Sequence, residues 1–323
     1  MNPKVKWGVL GFARIAKNSV IPAINRTDKS EFYALASRDR AKLAECKSQF
    51  NPTILYDNYE DLLDDPEVQA VYIPLPNSMH QEWAIKAMNK GKHVLCEKPL
   101  ALTVDDCKEM MAAAASNRVL LMEAFMYRYT DRTKKVQELL ASGEIGAIKY
   151  INSTFRFFLD RANTIKIQPE LGGGSLYDVG CYPVNFIGMV LGSLPESYSA
   201  EFVLENGVDV IFSATLRYPG GVVATINSGF NAFREIRSEV IGTKGRLEIP
   251  DTFMGEAGII NVVTNEGTRQ VPVADSDRYC LEVADFAAAV LNGGKPLLDL
   301  EESIRNMRLI EGLMGLIKKP TNQ

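Results

Sequence analysis

The segment Val5-Lys6-Trp7-Gly8-Val9-Leu10-Gly11-Phe12-Ala13-Arg14-Ile15-Ala16 decides how the first half of the chain is read. Val5 to Leu10 is a short apolar run of strand length, Gly11-Phe12-Ala13 is a tight turn, and a helical stretch follows through Ile24. The same alternation recurs downstream. Strands are predicted over Phe32 to Ser37, Val68 to Pro74, His93 to Cys96 and Val119 to Glu123. Helices are predicted over Arg40 to Phe50, from Asn77 or Ser78 to Gly91, and from Thr103 toward Ser116. Trp83, Ala84, Ala87 and Met88 share one face of the middle helix, and Thr103 with Asp106 makes a start resembling a capping box for the last. Strands alternating with helices build parallel βαβ units, so residues 1–125 are expected to form a doubly wound parallel sheet.

Past Gly146 the texture changes. Ile148 to Phe158, Ser199 to Leu204, Val208 to Tyr218, Val222 to Asn227, Ser238 to Gly242, Gly245 to Ile249 and Ile259 to Thr264 are alternating or β-branched runs. Asn206-Gly207, Pro219-Gly220 and Lys244-Gly245 punctuate them, which predicts antiparallel hairpins. Residues 126–323 are therefore expected to form a second domain with a large, mostly antiparallel open sheet, and the fold class is α/β. Ile304, Met307, Ile310, Leu313, Met314 and Ile317 recur at helical spacing, predicting a closing helix over 302–317 that packs back toward the first domain.

Composition narrows the function classes. Hydrophobic residues make up 46% of the 323 and charged residues 24%, enough apolar surface for a packed core and against a disordered chain. The net charge is −4 and no run of five like charges occurs, so nothing recruits nucleic acid or an anionic membrane by electrostatics. No apolar stretch of membrane-spanning length and no leader-like h-region is present, and a cytoplasmic protein is expected. The five cysteines are scattered and never in a C-x-x-C spacing, which suits reduced thiols. With only His80 and His93 as histidines, and no His/Cys/carboxylate set at ligand spacing, no metal site is expected.

A strand that feeds a glycine turn into a helix presents backbone N–H groups and the positive end of the helix dipole to a pyrophosphate. Gly11 takes the first position of that turn, while Ala13 replaces the second glycine and Ala16 takes the helix-packing position. At the end of the second strand an acidic residue would bind a free ribose 2′-hydroxyl; Ser37-Arg38 stands there instead, which favours the 2′-phosphate of NADP. Lys42 is within reach of the same phosphate, and Asp39, one position further, keeps NAD as the competing choice.

Two more motifs complete the pattern: Glu97-Lys98-Pro99, and Gly172-Gly173-Gly174-Ser175-Leu176-Tyr177-Asp178-Val179-Gly180-Cys181-Tyr182-Pro183. With the N-terminal turn, Pro76-Asn77-x-x-His80 and the closing Ser303-Ile304-Arg305-Asn306-Met307, the chain resembles the Gfo/Idh/MocA family of nicotinamide-dependent sugar and polyol oxidoreductases. The resemblance spans the whole chain. It implies a Rossmann domain, and a second domain whose open sheet makes a homodimer or homotetramer contact. It also implies that Lys98 lies beside the nicotinamide and that Tyr182 is the catalytic acid/base, as in the subgroup of glucose-fructose oxidoreductase, dihydrodiol dehydrogenase and xylose dehydrogenase.

The resemblance assigns Gly11, Phe12, Ala13, Arg14, Ile15, Ser37, Arg38, Leu75, Pro76, Asn77, His80, Glu97 and Lys98 to cofactor binding, with NADP preferred over NAD. Asp178 and Arg128 are expected at the substrate, although Asp178 is equally suited to capping the helix after the glycines. The family's aromatic-His-Pro is replaced here by Tyr129-Thr130-Asp131. The expected reaction is hydride transfer between NADP(H) and a hydroxyl or carbonyl carbon of a sugar, sugar derivative or cyclic polyol. The alternatives are a cofactor-binding sensor without turnover, and redox-assisted lyase or glycosidase chemistry with a recycled nicotinamide.

Overall fold

The fold is described from a computed structural model, which describes residues 3–160 and 164–318. The extreme ends of the two expected domains, 1–2 and 319–323, lie outside the described residues. The chain divides into two compact units, one built from residues up to Met126 plus Tyr279–Ile304, the other from Tyr127–Arg278 plus the residues from Arg305 on.

The first unit holds six strands, β1 (Val5–Leu10), β2 (Ser30–Ala36), β3 (Ile54–Tyr56), β4 (Ala70–Ile73), β5 (His93–Glu97) and β6 (Leu121–Ala124). They pair in the order β3-β2-β1-β4-β5-β6, every neighbour parallel. That is the doubly wound order, with its topological switch between β1 and β4. Val5, Trp7, Val9 and Leu10 are all fully buried, the near-continuous apolar strand that a sheet covered on both faces requires. Local signals set the helix starts. Asp39 Oδ1 accepts from the N–H groups of Ala41 and Lys42 to cap Arg40–Phe50, and Thr103 Oγ1 accepts from Asp106 N to cap Val104–Asn117.

The second unit holds β7 (Ile148–Phe158), β8 (Ser197–Glu205), β9 (Val208–Arg217), β10 (Val223–Gly229), β11 (Asn231–Gly242), β12 (Gly245–Pro250), β13 (Gly258–Thr264) and β14 (Gly267–Val273). Their order is β14-β13-β12-β11-β7-β10-β9-β8, antiparallel except for β7 with β10. The Asn206-Gly207 turn joins β8 to β9 with φ of 52° and 83°, the two-residue hairpin geometry that matches strand twist. The helix Cys181–Leu191 is buried over its first eight residues, and its Tyr182 and Phe186 join Tyr127, Phe155 and Phe253 in one aromatic cluster.

Two expectations about organisation change. Residues 126–323 do not form one block, because Tyr279–Ile304 groups with the first unit; there Phe286 of the helix Arg278–Asn292 packs 5.4 Å from Trp7 of β1. The closing helix runs over Leu300–Lys318 and is divided: its start, through Ile304, groups with the first unit and the remainder, from Arg305 on, with the second. Close packing shows why: a Cβ on Gly312 would lie 2.2 Å from the Tyr198 hydroxyl of β8. The sequence pattern also left unassigned the short β3, β14 and the helices Tyr59–Asp64, Asp131–Ala141 and Arg278–Asn292.

Candidate active site

In the first unit, β1 delivers its chain to the switch point. Gly11 follows directly with φ of 91°, its N–H donating to Ala36 O at 2.7 Å. A Cβ at Gly11 would stand 3.1 Å from Leu75 Cδ2, so the turns after β1 and β4 nearly touch. Helical structure begins at Arg14, which leaves the backbone of Gly11, Phe12 and Ala13 at a helix N-terminus, the place for a pyrophosphate. The Phe12 ring is buried edge-on against Phe50, 6.1 Å away, so that residue offers the cofactor its backbone. Arg14 is exposed, and Ala13 and Ile15 are half-buried.

At the end of β2, Ser37 is buried and its Oγ accepts from Asp39 N at 3.2 Å. The Asp39 carboxylate is committed to its helix cap, whereas Arg38 is exposed with its guanidinium 5.8 Å from the Tyr59 ring centroid. Tyr59 was not singled out in the sequence; its hydroxyl lies 3.6 Å from where a Gly11 Cβ would be. Arg38, Tyr59 and the glycine turn thus form one cluster, and these residues fit a 2′-phosphorylated dinucleotide.

The loop after β4 carries Leu75, Pro76 and Asn77, with a single 3-10 turn over Asn77–Met79 before the helix His80–Asn89. His80 is wholly buried, and its two ring nitrogens each stand 2.9 Å from a carbonyl oxygen, one of Leu75 and one of Pro99. Burial lowers its pKa, against the opposing pull of those carbonyls. Through these contacts His80 ties the loop after β4 to the loop after β5. Glu97 Oε1 accepts from the Tyr72 hydroxyl at 2.6 Å, and its Oε2 from Lys98 N at 3.3 Å. Lys98 follows at the end of β5, joined to Pro99 by a cis peptide bond. Beyond it, Leu100 N donates to buried Glu123 at 2.9 Å; burial raises that carboxyl to about 7 despite hydrogen bonds from Ser303 and Leu100.

Tyr182, Asp178 and Arg128 belong to the second unit. Tyr182 sits one residue into Cys181–Leu191, buried among Tyr127, Phe155 and Phe253 at ring-centroid distances of 5.9, 5.2 and 5.3 Å. Asn185, one turn further, accepts from the Tyr127 hydroxyl at 2.5 Å and from Arg128 Nη1 at 3.4 Å, which brings Arg128 to the same helix face. Asn185 was missed in the sequence, where a lone buried Asn in an apolar helix carries no motif. Asp178 is not the helix cap. It lies inside a π-helical segment, Leu176–Gly180, with its N–H donating to Gly174 O at 3.1 Å, and it forms an ion pair with Lys166, a second residue the sequence did not flag. Among the described residues no group of three His, Cys, Asp or Glu could hold a metal ion.

The chain is similar to known proteins along nearly its whole length. Residues 5–125 match the model of an oxidoreductase family with an NAD-binding Rossmann fold, and residues 133–248 that of the GFO/IDH/MocA C-terminal domain. The chain is 38% identical to D-xylose 1-dehydrogenase (NADP(+)) 2 of Haloferax volcanii, covering 95% of each. It is 33% identical to trans-1,2-dihydrobenzene-1,2-diol dehydrogenase of Xenopus tropicalis, over 79% of this chain and 78% of that protein. In three dimensions it resembles a 3-ketoreductase of Actinomadura kijaniata solved with NADP and TDP-benzene, at TM-score 0.90 and 30% identity over 97% of this chain and 98% of that one. With both domain models in register and relatives matched along nearly its full length, the chain belongs to the Gfo/Idh/MocA family of oxidoreductases.

Proposed function

We propose that this chain transfers a hydride between NADP(H) and a hydroxyl-bearing or carbonyl carbon of a sugar, a sugar derivative or a related cyclic polyol. The observation that carries the cofactor choice is at the end of β2: Asp39 is spent on its helix cap, and Arg38 stands by the glycine turn above Tyr59. A cationic fork there receives a phosphate better than a ribose hydroxyl. Gly11, Ala13, Arg14, Ser37 and Arg38 would hold the dinucleotide, with Leu75, Pro76 and Asn77 along its far end. NADP, when bound, accepts or returns the hydride.

The proton and the charge are left to the protein. Tyr182 gives its phenolic proton to the substrate oxygen during reduction and takes one away during oxidation. A phenol of ordinary pKa, about 10, is a weak base at neutral pH, and Lys98 contributes the positive charge that favours the phenolate and the developing alkoxide. Support comes from the Actinomadura reductase, which has been solved as a lysine variant and as a tyrosine variant; those two residues stand as far apart in its sequence as Lys98 and Tyr182 do here. Asp178 and Arg128 orient the substrate hydroxyls. Copies associate as a homodimer or homotetramer through the eight-stranded sheet, where Arg156, Glu235, Arg237, Glu239 and Arg246 are ion-paired. The enzyme works in the cytoplasm.

The test is a spectrophotometric screen of NADP reduction and NADPH oxidation across aldoses, ketoses, deoxysugars, inositols and dihydrodiols. Turnover of a sugar with NADP supports the reading. Tight cofactor binding with no turnover would overturn it in favour of a sensor, and product formation without net absorbance change in favour of a lyase or glycosidase.

A further inference from the structure

The start of the helical run that carries Tyr182 is built in an unusual way. A helix leaves its first N–H groups without partners, and a side chain just before it ordinarily accepts from them. Ser175 stands at that place but does not cap. Its Oγ donates instead to Asp209 Oδ2 at 2.6 Å, and the same oxygen accepts from Leu176 N at 2.8 Å. The cap is borrowed from β9, a strand more than thirty positions away in sequence.

The surroundings are shaped to receive that carboxylate. Asp209 is 1% exposed, and burial raises its carboxyl to about 6 against the hydrogen bonds from Ser175 and Leu176. A buried carboxylate is costly unless donors face it, and a helix N-terminus is one of the few places that offers them with a favourable dipole. Gly174 has φ of 114°, and a Cβ there would fall 2.2 Å from Asp209 Oδ1; only glycine leaves room for the carboxylate. On the other side Ser228 Oγ of β10 lies 3.0 Å from Ser175 Oγ, so two strands grip the first turn.

We infer that Asp209 is a positioning residue of the reaction: by holding Ser175 and Leu176 it fixes the π-helical turn Leu176–Gly180 and, through it, the place of Tyr182. The inference rests on the role proposed above for Tyr182. The π-helical turn has i→i+5 bonds and a wider bore than an α-turn, so a shift at Leu176 is passed along the run to Cys181 and Tyr182. A misplacement of about 1 Å at a reacting group costs roughly a hundredfold in rate.

The experiment is a double-mutant cycle on the full chain, combined with amide hydrogen exchange. Asp209→Ala should lower kcat by roughly 10- to 100-fold with NADPH affinity kept within about twofold. It should also speed exchange at residues 176–182 while β1 and β2 stay protected. Asp209→Asn keeps an oxygen for Ser175 and Leu176 and should recover most of the loss. In a Tyr182→Phe background, Asp209→Ala should cost almost nothing further, since both changes remove the same contribution. Ser175→Ala, which takes away one donor and leaves the carboxylate in place, gives a milder version of the same pattern should Asp209→Ala fold poorly. An equal loss in both backgrounds, or unchanged exchange over 176–182, would overturn the inference. Wild-type turnover in Tyr182→Phe alone would instead overturn the role given to Tyr182, and the exchange result would still report on the seat.

Discussion

The guanidinium of Arg38 stands 5.8 Å from the ring centroid of Tyr59, whose hydroxyl faces the Gly11 turn. The arginine thereby stands beside the glycine turn, as the proposed contact with a 2′-phosphate requires, and its neighbour Asp39 caps a helix. Arg38→Ala should weaken NADP at least about tenfold while moving NAD little, as loss of a charged hydrogen bond predicts. Ser37→Asp should repel the phosphate and accept the ribose hydroxyl, narrowing or reversing the preference. Fluorescence titration of both cofactors against wild type and variants checks this; equal affinities unmoved by Arg38→Ala would show the arginine to be a solvated residue at a strand end.

Tyr182→Phe removes one oxygen and keeps the ring within its aromatic packing, so folding should hold. Loss of a general acid/base should lower kcat by about a hundred- to ten-thousandfold with cofactor affinity nearly intact. Lys98→Met should damage both. Steady-state kinetics beside NADPH titration separates the two patterns.

Glu123 gives a pH signature in stability. Its carboxyl titrates near 7 in the folded chain against 4.5 when solvated, because burial disfavours the charge. The folded state therefore binds the proton more tightly, and this group's contribution is fully present below pH 4.5 and lost as pH rises through 7. Glu123→Gln keeps an acceptor for Leu100 N and cannot ionise. Its melting temperature should exceed that of wild type at pH 8 by a few degrees and converge with it near pH 5. A difference independent of pH would contradict the assignment.

Gly11→Ala adds a methyl group at φ of 91°, 3.1 Å from Leu75. The strain should cost about 1 kcal/mol or more of stability and push the turns after β1 and β4 apart. Cofactor affinity should fall together with the melting temperature, whereas an alanine at Gly91, where nothing lies within 4 Å, should leave affinity alone.

The sequence made the parallel sheet legible because its strands are buried on both faces and read as continuous apolar runs ended by Gly or Pro. The site motifs were legible for a related reason: Glu97-Lys98-Pro99 and the glycine triplet need special residue types at fixed spacing. What stayed hidden depends on contacts distant in sequence. Asp209 is an acidic residue inside a strand, and its partner Ser175 is remote; Asn185 and Lys166 likewise acquire meaning only through Arg128 and Asp178. The helix Arg278–Asn292 was within reach, since Val283, Phe286 and Ala287 keep helical spacing. Its membership of the first unit was not, because nothing in its own residues names Trp7 as the ring that Phe286 meets.

That last contact bears on how the chain is made. The first unit draws its Phe286 from a helix that emerges from the ribosome after both sheets as far as the described residues show them. Until then Trp7 lacks the ring that packs against it. The nucleotide-binding half, although synthesised first, therefore waits on a helix made after the second sheet, and a nascent chain stopped at Met126 would hold all the strands of the first sheet and still expose apolar surface for chaperones to shield.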